Sequence, residues 1–297
     1  MIMVGSLALG LALNRFGLAG GRTREWLNHA VICVCLPALA LLHVHALPVG
    51  PELLLPALMA WIVFAVGYAV FRLAGRVCTL SEKSVVCLAL TAGLGNTSFV
   101  GLPMIEAFYG PEHLGTGMLC DLAGTFLVLS VPGMILAVRA SGRAVGLGGV
   151  VRRVILFPPF PALLAGFALQ PVAYPAWLET ALSWLGAPLT PLAMIVVGLT
   201  LDWRQVRETG SALGIGLGYK LVAAPALMFL LYLVVPDQPG MAARVSVFEA
   251  AAGPMITGGI VAMRYGLNPG LAASLLGIGV PLCFATMPVW YWLISLY

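Results

Sequence analysis

The chain has 297 residues, 61% of them hydrophobic and only 9% charged, with a mean hydropathy of +1.03. A soluble domain carries roughly a quarter charged residues, so this composition excludes an ordinary soluble fold and implies a polytopic membrane protein embedded in a lipid bilayer. The formal net charge of +4 comes from basic residues scattered along the chain, which argues against nucleic acid as a partner.

A helix needs about 20 apolar residues to cross a bilayer, which leaves room for about ten. The expected spans run at roughly 1–19, 27–47, 52–76, 84–108, 114–138, 151–170, 176–201, 211–235, 242–264 and 271–296. The first lacks the basic leader and small-residue cleavage site of a signal peptide, so a retained helix is expected.

The connections sort by charge. Arg15, Arg22, Arg24, Arg72, Arg76, Lys83, Arg139, Arg143, Arg152, Arg153, Arg204, Arg207 and Arg264 fall in one alternate set. Glu52, Glu106, Glu112, Glu179 and Asp237 fall in the other, with Arg244 as its base. Excess Lys and Arg mark the cytoplasmic side, so both termini are expected on the non-cytoplasmic face of the cell membrane.

The two halves resemble each other at an offset of about 154–156 residues. Leu9–Asn14 matches Ala165–Gln170, Pro37 falls near Pro191, Tyr109-Gly110 matches Tyr265-Gly266, and Pro132 matches Pro288. Five spans per half would make the second half enter the membrane from the opposite side. The expectation is two inverted five-helix repeats, residues 1–143 and 144–297.

The fourth span is interrupted by Gly93, Gly95, Asn96, Thr97, Ser98, Gly101 and Pro103, and the ninth by Gly253, Pro254, Thr257, Gly258 and Gly259. Proline inside a helix costs about 3 kcal/mol or more, and a freed backbone group in hydrocarbon has no water to bind. A break near the midplane exposes helix N-termini, which attract an anion, and carbonyls, which attract a cation. Paired breaks in corresponding spans point to the substrate site of a secondary transporter. Asn96, Thr97, Ser98, Gly101, Pro103, Pro254 and Thr257 are the candidate substrate-binding residues.

Asp121, Lys220 and Glu249 fall inside expected spans. A charge at a helix centre costs about 2.5–3.5 kcal/mol, so each needs a partner or a role. Asp121 and Glu249 correspond to glycines in the other repeat, as expected of an ion or proton site placed once. Glu249, just before the Gly253-Pro254 break, is the first candidate for coupling and Asp121 the second. Lys220 is expected to snorkel or pair with an acid, in a structural role. Cys33, Cys35, Cys78, Cys87, Cys120 and Cys283 form no CxxC pair or Cys/His cluster and read as small packing residues rather than zinc ligands.

The stretch Gly95–Pro103, the run Glu249–Pro254 continued through Arg264–Pro269 to Pro288, Leu36–Leu39 and Pro191–Gly198 resemble the auxin efflux carrier family over essentially the whole chain. The resemblance implies an all-α membrane protein whose broken helices four and nine cross. It further implies a scaffold domain and a crossover domain that move like an elevator, a plan shared with the bile-acid symporter fold. It places the family's substrate-facing asparagine at Asn96 and its crossover prolines at Pro103 and Pro254. Family members carry auxin or small organic acids, and some dimerise through the scaffold. Glu249 departs from the plant carriers and looks more like the acidic ninth-helix residue that binds sodium in the symporter group. No other cofactor is implied.

Together these features predict a secondary transporter of small carboxylates, coupled to protons or to sodium near Glu249. The alternatives are an uncoupled uniporter or exporter of the same fold and a polytopic membrane enzyme. Against an enzyme, the chain carries no H-E-x-x-H or G-x-S-x-G motif. It also carries no Walker A sequence for driving a pump.

Overall fold

The computed structural model describes residues 2–47, 50, 53–142, 152, 154–201, 210–236 and 239–297. Glu52, Arg143, Arg153, Arg204, Arg207 and Asp237, with the expected boundary at 143/144, lie outside them. The described residues are helical, with a single isolated backbone bridge, Gly95 to Pro254.

In chain order the helices are α1 (Ile2–Arg15), α2 (Gly21–Val44), α3 (Leu54–Val77), α4 (Glu82–Thr91), α5 (Thr97–Phe108) and α6 (Pro111–Ser141). There follow α7 (Pro159–Ala168), α8 (Ala176–Thr200), α9 (Ser211–Val234), α10 (Met241–Ala250), α11 (Ile256–Arg264) and α12 (Pro269–Ser295). Six of them, α2, α3, α6, α8, α9 and α12, are long and apolar enough to cross a membrane. Helix occurs in each expected span, and the fourth and ninth are divided where the glycines, prolines and polar residues fall.

Local chemistry sets several of these ends. The Ser81 hydroxyl accepts from the Ser84 N–H at 3.2 Å to cap α4, and the Asn268 carboxamide accepts from the Leu271 N–H at 3.2 Å to cap α12. Gly110, at φ 97°, turns the chain sharply from α5 into α6. Pro132 lies within α6, where the helix widens to i→i+5 turns over Leu129–Gly133.

Packing divides the helices into neighbours. α1 lies along α8, and α7 against the second half of α2. Both approaches are close. A Cβ on Gly10 would fall 2.4 Å from the Ile195 carbonyl oxygen, and one on Gly166 would fall 3.0 Å from that of Ala40. In each pair the first helix ends in an amide that caps the second. The Asn14 Nδ2–H donates to the Leu201 carbonyl at 2.7 Å, and Gln170 Nε2–H donates to Leu47 and Val44 at 2.8 and 3.1 Å. α3 packs on α4, α6 and α10, while α12 packs on α4, α9, α10 and α11. Contact between the two groups runs through α5 on α8 and α6 on α2 and α7. The Thr190 hydroxyl donates to the Glu106 carboxylate across the first of these seams.

Candidate substrate and ion site at the crossing of two broken helices

The residues between α4 and α5 run antiparallel to those between α10 and α11. The Asn96 N–H donates to the Gly253 carbonyl at 2.8 Å, and the Met255 N–H donates to the Thr91 carbonyl at 2.8 Å. Each break thereby satisfies backbone groups that the other leaves free, as a dry interior demands. Glycine permits the approach, since a Cβ on Gly258 would fall 1.9 Å from the Leu90 carbonyl oxygen.

Lys220, on α9, reaches this crossing. It is 1% exposed, and its ammonium donates to the Ala250 carbonyl at 2.9 Å, capping the C-terminal end of α10. The cation does not snorkel to a membrane surface. Its partner is a main-chain oxygen, which no residue-type pattern discloses; its position inside an apolar span was the only signal that it belonged near the site.

The expected site residues sort into three places. Thr97 and Ser98 open α5 and turn their hydroxyls to Asp121 on α6. Thr97 Oγ1 donates to Oδ1 at 2.5 Å, and Ser98 Oγ lies 2.6 and 2.7 Å from Oδ1 and Oδ2. Both segments carry i→i+5 turns, over Thr97–Gly101 and Leu119–Phe126, as do stretches of α2 and α9. Pro103 is buried just beyond the first of these turns, and Pro254 is buried against Gly279, where a Cβ would meet its ring at 2.5 Å.

Glu249, fully buried near the end of α10, forms the second place. A Cβ on Gly101 would fall 2.0 Å from Glu249 Oε2, and one on Gly117 would fall 3.4 Å from Oε1, so two glycines make room for this carboxyl. Neither Glu249 oxygen has a hydrogen-bond partner among the described residues, and neither has the buried Asn96 Nδ2. A buried polar atom left unpaired costs about 1–3 kcal/mol, so such atoms commonly mark a place where something else binds. The chemistry fits a proton or a hard monovalent cation at Glu249. Among the described residues no three His, Cys, Asp or Glu side chains gather as they would for a transition metal.

Thr257 stands in the third place. It is exposed on α11 and lines a cavity of about 650 Å³ with Phe99, Ile256, Asn14, Arg24 and Asn28. The cavity therefore reaches the N-terminal ends of α5 and α11 from the side on which α1 ends and α2 begins. The N–H groups at the start of α11, which has no side-chain cap, and the Arg24 guanidinium suit a small anion, against which the Glu25 carboxylate of the same lining works.

Comparisons with known proteins point to membrane transporters. The family described as membrane transport protein matches residues 2–291. An uncharacterized transporter of Methanothermobacter thermautotrophicus is 25% identical over 285 residues, covering 95% of this chain and 93% of its own. An uncharacterized transporter of Methanocaldococcus jannaschii is 23% identical over 290 residues, with 94% and 92% covered. A Rhizobium meliloti protein named "Putative malonate transporter" is 28% identical over 242 residues, with 76% and 73% covered. Matched along nearly its full length and built from apolar helices, this chain belongs to the membrane transport protein family, the auxin efflux carrier group that its broken-helix motifs resemble.

Proposed function

We propose that the protein is a secondary transporter of small organic carboxylates, driven by a proton or sodium gradient. The observation that carries this reading is the crossing itself. Two interrupted helices bond to each other beside a buried Glu249 carboxyl and a buried Asn96 Nδ2 that have no hydrogen-bond partner among the described residues, next to a cavity open to one side. The name of the Rhizobium relative supports a dicarboxylate such as malonate.

In this reading the carboxylate enters the cavity past Thr257 and meets Asn96 and the start of α11. Gly101, Pro103 and Pro254 hold the crossing open at the right spacing. Glu249 takes the coupling ion or proton, and Asp121, held by Thr97 and Ser98, fixes the start of α5 beside it.

The chain is read as ten crossings in two inverted repeats, 1–143 and 144–297, with both termini on the non-cytoplasmic face. Two matched packings support the repeat: α1 on α8 with its Asn14 cap, and α7 on α2 with its Gln170 cap. The group α1, α2, α7 and α8 serves as scaffold. The remaining helices carry the crossing past it, exposing the site alternately on each side.

Uptake of labelled malonate into proteoliposomes tests this. Flux should rise with an imposed sodium or pH gradient, and Glu249→Gln should abolish that dependence. Gradient-independent flux in the wild type would leave a uniporter with a structural Glu249. Unchanged substrate affinity in Asn96→Ala would remove Asn96 from the site.

A further inference from the structure

A second pocket, of about 220 Å³, lies at the other end of α12 from the large cavity. The large cavity touches Ala273, Leu276 and Gly277, and this one touches Tyr291, Ile294 and Ser295. At 1.5 Å per residue the two are separated along the helix by about 25 Å. The pocket sits where α5 ends, α10 begins and α12 ends.

Its lining holds Arg244, His113 and the hydroxyls of Tyr109, Tyr291 and Ser295, with no carboxylate side chain among the described residues that form it. Arg244, in the first turn of α10, makes no ion pair with any described residue. The Tyr109 hydroxyl is buried and has no hydrogen-bond partner among them. Gly240 precedes α10 and offers no side-chain cap; its carbonyl accepts from the Ala243 and Arg244 N–H groups at 3.1 and 3.3 Å, which leaves the Met241 and Ala242 N–H groups available. A guanidinium, a phenolic O–H and a helix N-terminus all favour an anion, and the guanidinium matches a carboxylate in bidentate geometry.

The floor is aromatic. Tyr109 packs edge-on against Phe248 and Tyr291, at 5.2 and 5.1 Å between ring centroids, and Phe108 meets Tyr291 at 4.9 Å. Such walls keep water out and strengthen a charge-assisted bond.

We propose that this pocket is a separate binding site for a small mono- or dicarboxylate, in which Arg244 pairs with the carboxylate and the Tyr109 O–H donates to it. Its position makes it a waiting site on the face away from the large cavity. The argument for an anion here uses none of the crossing residues, so the site does not depend on the role given to Asn96, while its reading as a waiting site for a carboxylate rests on the proposed transport function.

Thiol protection in the full-length protein in lipid nanodiscs tests the site. Ser295→Cys places a reporter at the rim, in a background carrying Cys33→Ser and Cys78→Ser; the other four cysteines are buried. Malonate or acetate should slow labelling by a water-soluble maleimide several-fold. Arg244→Gln should remove the protection, Arg244→Lys should keep part of it, and Tyr109→Phe should require several-fold more carboxylate. Protection should persist in Asn96→Ala, whatever that change does to transport.

Three outcomes would overturn the proposal. The first is absence of protection by either carboxylate up to high millimolar concentration. The second is equal protection in Arg244→Gln. The third is loss of protection in Asn96→Ala, which would make the reporter a remote sensor of the crossing. Protection by inorganic phosphate equal to that by malonate would overturn the carboxylate assignment.

Discussion

Glu249 occupies the space that a side chain at position 101 would need, its Oε2 lying 2.0 Å from where a Gly101 Cβ would stand. The obstructing atom is the end of a flexible side chain, so Gly101→Ala should fold while pushing the carboxyl from its niche. Gradient-driven uptake should fall at least tenfold with the melting temperature little changed. Gly258→Ala is the contrast, because its Cβ would meet the Leu90 main-chain oxygen at 1.9 Å. Overpacking against backbone costs about 1–3 kcal/mol or more, and that variant should lose thermal stability in detergent.

Asp121 accepts from two hydroxyls, so its removal differs from its neutralisation. Asp121→Ala orphans Thr97 and Ser98 and should cost about 1–3 kcal/mol for each stranded group. Asp121→Asn keeps an oxygen acceptor and should melt near the wild type. A transport defect in Asp121→Asn at unchanged stability would assign the charge a role beyond holding α5.

Lys220 caps the end of α10 through the Ala250 carbonyl. Lys220→Met should destabilise the protein by about 1–3 kcal/mol by stranding that oxygen. A double-mutant cycle with Glu249→Gln should give a non-zero coupling, because both groups belong to the same crossing. Additivity within about 0.5 kcal/mol would separate them energetically.

Asn14 and Gln170 hold equivalent places at the ends of α1 and α7. Asn14→Leu, which loses one hydrogen bond, should lower stability by about 1 kcal/mol, and Gln170→Leu, which loses two, by about 1–2 kcal/mol. Strongly unequal losses would argue against equivalent construction of the two halves.

The breaks were legible in the sequence because proline, glycine and polar residues are costly in hydrocarbon and stand out there. Their mutual bonding was not, since it runs through main-chain atoms of Thr91, Asn96, Gly253 and Met255 that every residue type shares. Thr97 and Ser98 were expected to face the substrate. In a dry interior a hydroxyl goes to the nearest strong acceptor, and Asp121 on the next helix supplies it. The charge of Lys220 was visible, but its partner, a distant carbonyl, was not. The wide turns in α5 and α6 likewise carry no diagnostic residue type.

The crossed hydrogen bonds also constrain how the protein is made. Asn96 and Thr91 lie in the first half of the chain, and their partners, Gly253 and Met255, are synthesised near its end. Until then the interrupted α4–α5 segment holds polar main-chain groups for which lipid offers no partner. That segment cannot complete its native course in the bilayer until α10 and α11 emerge, so the two halves must mature together. A ribosome-bound chain stopped ahead of Gly253 should leave this stretch exposed to protease or to water-soluble probes, and release of the full chain should close it.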